Sequence, residues 1–94
     1  MPESKLEICE NILNVLSKEA SSIDRLSYET GLDCNTVKDN LHFLVKNGLV
    51  EECGLGSVTL HVLTEKGQGV LRALNFQKYV AKIKKTISTI DEAM

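Results

Sequence analysis

The residues most suited to chemistry lie between Cys34 and Lys46. At about 100° per residue, Asn35, Lys38, Asp39, His42 and Lys46 fall within about one third of a helix circumference, away from Val37, Leu41, Leu44 and Val45. Lys38, His42 and Lys46 form an i, i+4, i+8 row. An asparagine can pair bidentately with adenine in a major groove, and a lysine can contact guanine or a phosphate. Cys34, Asn35 and Thr36 occupy the helix start, where base contacts concentrate when such a helix enters a groove. The amides there also favour a phosphate, with Asp33 competing for them. A polar stripe opposite an apolar one is what any surface helix shows, so the surrounding elements decide its meaning.

Other chemistries find little support. No carboxylate pair, Ser/His/Asp set or Gly-rich phosphate loop is placed to organise a reaction, so no enzyme is expected. Gly67 and Gly69 near a helix start read as close packing on the hairpin. Cys9, Cys34 and Cys53 form no Cys-x-x-Cys pair, and His42 and His61 stand apart from them, so neither a metal nor a cofactor is implied. The odd cysteine count fits a reducing cytosol. Cys34 in a first helical turn admits a redox role, against the plainer reading of a small packing residue.

The elements that position the row follow from capping and periodicity. Ser4 and Glu7 form a capping box before the stripe Ile8, Cys9, Ile12, Leu13, Val15, Leu16. Ser22 caps a short helix near 23–30, Gly31-Leu32 interrupts, and Asp33 caps a helix near 34–47 that Gly48 stops. Leu49 to Cys53 and Val58 to Leu63 read as strands around the tip Gly54-Leu55-Gly56-Ser57. Val58, Leu60 and Val62 alternate with Thr59, His61 and Leu63, so one strand face is expected to be buried. Phe43, off the main stripe, is expected under the hairpin. Thr64 caps a last, long helix. A helix braced across a tight turn by a partner helix can present its other face to a groove in DNA.

Ninety-four residues make one small domain, whose core profits from a partner subunit. No apolar run nears the ~20 residues that span a bilayer, and a cytoplasmic location is the default. The net charge is −2, divided unevenly: five Lys/Arg against ten Asp/Glu over 1–63, six against three over 64–94. Affinity for nucleic acid would therefore depend on local placement. In the last helix Ala73, Phe76, Val80, Ile83, Ile87, Ile90 and Met94 recur at 3, 4, 3, 4, 3 and 4, an a/d seam that predicts self-association. Lys78, Lys82, Lys84 and Lys85 lie off the seam, as a solvated face or as a track for a phosphate backbone.

Gly31-Leu32, Val37, Leu41 and Leu44, Gly48-Leu49-Val50, the glycine hairpin and Leu63-Thr64-Glu65-Lys66-Gly67, taken in order, resemble a winged helix-turn-helix domain. With Ser4-Lys5-Leu6-Glu7-Ile8 and the terminal heptads, the chain is similar throughout to the small (about 10 kDa) winged-helix DNA-binding proteins of Sulfolobus-type archaea. The resemblance implies a mainly α fold with a small β-hairpin, a winged domain over 1–66 and an antiparallel coiled-coil helix over 67–94. It implies a homodimer on double-stranded DNA, acting in transcription regulation or at the nucleoid, with contacts from Cys34, Asn35, Thr36, Lys38, Asp39, His42 and Lys46 and from Gly54, Gly56 and Ser57 of the wing. The wing tip has no Lys or Arg and follows Glu51 and Glu52, leaving its glycine amides as donors. The alternative is a winged-helix protein-docking module, favoured by the acidic first part.

Overall fold

A computed structural model describes residues 4–93, with side chains described through residue 87. The order is α1 (Lys5–Lys18), α2 (Ile23–Thr30), α3 (Cys34–Lys46), β1 (Val50–Leu55), β2 (Val58–Leu63) and α4 (Glu65–Ala93). The fold is mainly helical with one antiparallel hairpin. Met94 and the side chain of Ile90, both assigned to the seam, lie outside the described residues.

Each helix starts where a side-chain oxygen takes an orphan amide. Ser4 accepts from the Glu7 amide, Ser22 from that of Arg25 and Asp33 from that of Thr36, the last at 2.6 Å. Thr64 does more: its hydroxyl accepts from the Gly67 amide at 3.0 Å and donates to the Gly48 carbonyl at 2.7 Å. One side chain thus starts α4 and ties it to the end of α3. Lys66 adds a bond to the Asn47 carbonyl at 3.1 Å.

The core lies between α1, α2, α3 and the root of the hairpin. Ile12, Leu13, Leu16, Leu26, Val37, Leu41, Leu44 and Val50 are buried, joined by Leu71 from α4. Gly67 is the tightest approach. A Cβ there would stand 2.1 Å from the Leu49 carbonyl oxygen and 2.7 Å from Leu63, so only glycine lets α4 lie this close to the hairpin's base. Gly69, grouped with it from sequence, has open space around it.

The hairpin departs from expectation in two respects. β1 runs from Val50 to Leu55, not from Leu49 to Cys53, and Leu55 pairs with Val58, leaving only Gly56-Ser57 as the turn. Gly56 has φ 64°, and no described non-glycine residue has positive φ, the sign pattern of a type II′ hairpin turn. The second departure concerns the faces. The strand residue that turns into the body is His61, 3% exposed, opposite Glu52 and in line with Val50 and Leu63. Val58, Leu60 and Val62 point the other way, so the apolar alternation in β2 marks the outer face. His61 also has a second backbone neighbour: Ser21 and His61 exchange both backbone hydrogen bonds, at 2.8 and 3.1 Å, an isolated bridge that ties β2 to the link between α1 and α2.

Phe43 is corrected as well. It is 40% exposed and lines a groove with Lys5, Leu6, Cys9, Leu49, Val70 and Leu74, on the α1–α4 side rather than beneath the hairpin. The Lys5 ammonium stands 4.0 Å from its ring centroid.

Candidate nucleic-acid interface

α3 is anchored from behind and open in front. Val37, Leu41 and Leu44 seat it on the core. Between them Asn40 is 9% exposed; its amide donates to the Thr36 carbonyl at 2.8 Å and its oxygen accepts from the Cys9 thiol at 3.6 Å. Asn40 is the residue that sequence reading missed. It sits on the apolar stripe, but its partner Cys9 is 31 positions away on α1, and nothing local signals that pairing. Burial pushes the Cys9 thiol up from its ordinary value, with the charge of Lys5 acting in the opposite sense. The thiol is thereby kept as a donor.

Cys34, Asn35, Lys38, Asp39, His42 and Lys46 are all exposed, while Thr36 is half-buried. Lys38 and Lys46 are separated by about 12 Å along the axis, close to the width of a major groove. The turn ahead of α3 is held from three sides: Gly31 takes a left-handed conformation, Ser27 donates to the Leu32 carbonyl, and Asp33 caps. The Thr36 amide, then its hydroxyl, holds the Asp33 carboxyl below the usual carboxylate range. Cys34 lies beside α2 and its thiol donates to Asp24 at 3.8 Å.

The hairpin root stands against the same helix face. Lys38, Asp39, Leu41 and His42 share a cleft of about 280 Å³ with Ile23, Glu52 and His61. Its charges are mixed, and Glu52 lies 4.0 Å from the His61 Nε2. The structure thus brings Lys38, Asp39 and His42 together with the wing's base. Gly54, Gly56 and Ser57 are exposed at the far end of the hairpin. Among the described residues no group of His, Cys, Asp and Glu is placed to hold a metal ion, and no helix is long and apolar enough to cross a membrane.

On α4, Val70, Leu71 and Leu74 pack toward the core. The described seam residues beyond them do not. Phe76 is 65% exposed, Ile83 39% and Ile87 53%, with Ala73 also exposed and Val80 half-buried. Lys78, one of the basic run, is ion-paired with the buried Glu10 of α1 and so braces α4 against the body.

A helix braced by a partner helix across a glycine turn, followed by a two-stranded wing, defines a winged-helix protein. The chain belongs to the winged helix-turn-helix family, whose model matches residues 3–84. No curated protein matches it in sequence. Among solved structures it is similar to the transcriptional regulator BldR from Sulfolobus solfataricus, with 21% identity and a TM-score of 0.73, over 82% of this chain and 59% of that one. It is similar to a homodimeric winged helix-turn-helix DNA-binding domain from Mycobacterium bovis, a possible ArsR-family regulator, with 25% identity and a TM-score of 0.65, over 81% and 68%. It also matches Lactococcus lactis ZitR in complex with DNA, with 22% identity and a TM-score of 0.67, over 83% and 57%. The chain therefore spans under two thirds of the length of BldR and of ZitR.

Proposed function

We propose that this protein is a homodimeric double-stranded DNA-binding protein, acting as a transcriptional regulator or nucleoid-associated protein. The observation that carries the reading is α3 itself. Its apolar side is locked into the core, and Asn35, Lys38, Asp39, His42 and Lys46 stand exposed on a helix the fold holds rigid. In this reading α3 enters the major groove, Asn35 reads a base edge, and Lys38 and Lys46 contact phosphate or guanine. Residues 1–66 provide the DNA-binding part. Residues 67–94 provide the association helix, whose exposed seam of Ala73, Phe76, Ile83 and Ile87 is covered by the same seam of a second copy. The homodimeric domain and the DNA complex among similar structures support this assignment.

The experiment is fluorescence anisotropy of a labelled random-sequence duplex at several salt concentrations. Binding with a steep negative slope of log K against log salt supports general phosphate contact. Binding only to selected sequences supports regulation. The second reading, a protein-docking module, is favoured by Asp39 and Glu52 beside Lys38 and His42 in the cleft. Absence of binding to random and selected duplexes alike at low salt would favour it.

A further inference from the structure

Among the described residues Glu10 is the one buried carboxylate, 5% exposed on the inner side of α1. Lys78 of α4 is ion-paired with it, although the lysine's own side chain is largely exposed. Apolar packing does not account for their meeting. Glu7, Glu10, Asn11 and Lys78 line a cleft of about 290 Å³, with no apolar residue among them, so Lys78 reaches Glu10 across a polar gap. Leu71, Leu74 and Lys78 are spaced by 3 and 4 and share the face of α4 turned to the body. Past Lys78 every described side chain of α4 is exposed except half-buried Val80. The pair therefore stands where α4 leaves the head.

We propose that Glu10 and Lys78 are positioning residues that fix the angle at which α4 leaves the head, and so the separation of the two α3 helices in a dimer and the spacing at which they meet DNA. This rests on the dimeric DNA-binding reading above and deepens it. Apolar attraction is non-directional, so Leu71 and Leu74 hold α4 without setting its tilt. A charge-assisted hydrogen bond has a preferred geometry. A buried carboxylate also cannot release its partner without being left uncompensated, which separates this pair from ordinary surface ion pairs. The lever is long. From Lys78 to Ala93 α4 extends about 22 Å, so a tilt of roughly 10° moves its end by about 4 Å. That exceeds one base-pair step of about 3.4 Å, enough to change which half-sites both heads can reach.

The test is a pulsed electron-spin distance measurement on the full chain without DNA. A nitroxide on exposed Cys34 marks the start of α3, and Cys53→Ser removes the other exposed thiol. This parent is expected to give one narrow distance between the two labels of a dimer. The double variant Glu10→Leu, Lys78→Leu replaces the pair with apolar side chains and leaves no buried charge behind. It should keep or raise Tm yet broaden the distance by about 4 Å or more, because burial is satisfied and direction is lost. A merely stabilising pair would move Tm alone. Lys78→Met, which deletes the ammonium only, should broaden the distance too and keeps the test decisive if the double variant fails to fold. Lys78→Arg should retain the narrow distance, and Lys82→Met, the same charge loss on the same helix, should leave it unchanged. A narrow, unshifted distance without the pair overturns the proposal and leaves the dimer reading intact. A parent that sediments as a monomer overturns both. Absence of duplex binding in the salt titration overturns the DNA reading and the spacing consequence, while the distances still decide the head angle.

Discussion

Lys38 and Lys46 offer the most direct check of the interface. If each neutralises a phosphate, Lys38→Ala and Lys46→Ala should each weaken binding and lower the slope of log K against log salt by about one. Unchanged slopes in both would remove α3 from the interface. Asp33 makes a different prediction. Its folded-state pKa lies below the ordinary 3.8, so its contribution to stability is present above that value and is lost as pH falls through the folded one. Asp33→Asn keeps a capping oxygen without the titration. Melting curves across acidic pH should therefore show a shallower loss of stability in the variant. Cys9 has the opposite sign. An acid whose folded pKa is raised contributes stability that is full below the ordinary 9.0 and declines as pH rises past it, and Cys9→Ala should flatten that alkaline decline.

Between elements, the close contacts are the sensitive points. Gly67→Ala would force a methyl group against the Leu49 carbonyl and the Leu63 side chain, pushing α4 off the hairpin base. An overpacking cost of roughly 1–3 kcal/mol is expected, seen as a drop of roughly 5–20 °C in Tm. Gly69→Ala, in open space on the same helix, is the matched control and should be neutral or stabilising. Asn40→Ala should cost about 1–3 kcal/mol, because the Cys9 thiol loses its buried acceptor and the hydrogen bond to Thr36 goes with it. Since Thr36 stands at the start of α3, the same variant should also loosen the exposed polar row, which amide exchange over residues 34–40 would report.

For the whole molecule, the decisive feature is elongation. The chain measures 62 × 30 × 20 Å, and α4 carries a seam on which Phe76, Ile83 and Ile87 are exposed. Ile83→Lys with Ile87→Lys should give a monomer by sedimentation equilibrium at micromolar concentration while leaving the winged part folded. DNA affinity should fall with it, as two linked heads exceed the affinity of one. A wild-type monomer at that concentration would end the coiled-coil proposal. The glutamate that meets Lys78 is on α1, so the base of the rod is joined to the head by a charge as well as by Leu71.

Element order, helix caps and the polar row on α3 were legible in the chain, because capping, glycine breaks and a 3.6-residue period are local properties. Ser4, Ser22, Asp33 and Thr64 could be identified one at a time, and so could the a/d spacing of α4. The hairpin's faces were not legible. A period of two says that the faces differ but not which one meets the core, and His61 turns inward beside Ser21, forty positions upstream, with which its backbone pairs. The same holds for Asn40 with Cys9, Lys78 with Glu10, and Phe43 turned toward α1 and α4: each is settled by a partner distant in sequence. Local rules placed the elements and the row they carry. Tertiary packing decided which apolar side chains were left exposed, because burial depends on what else arrives at the same place.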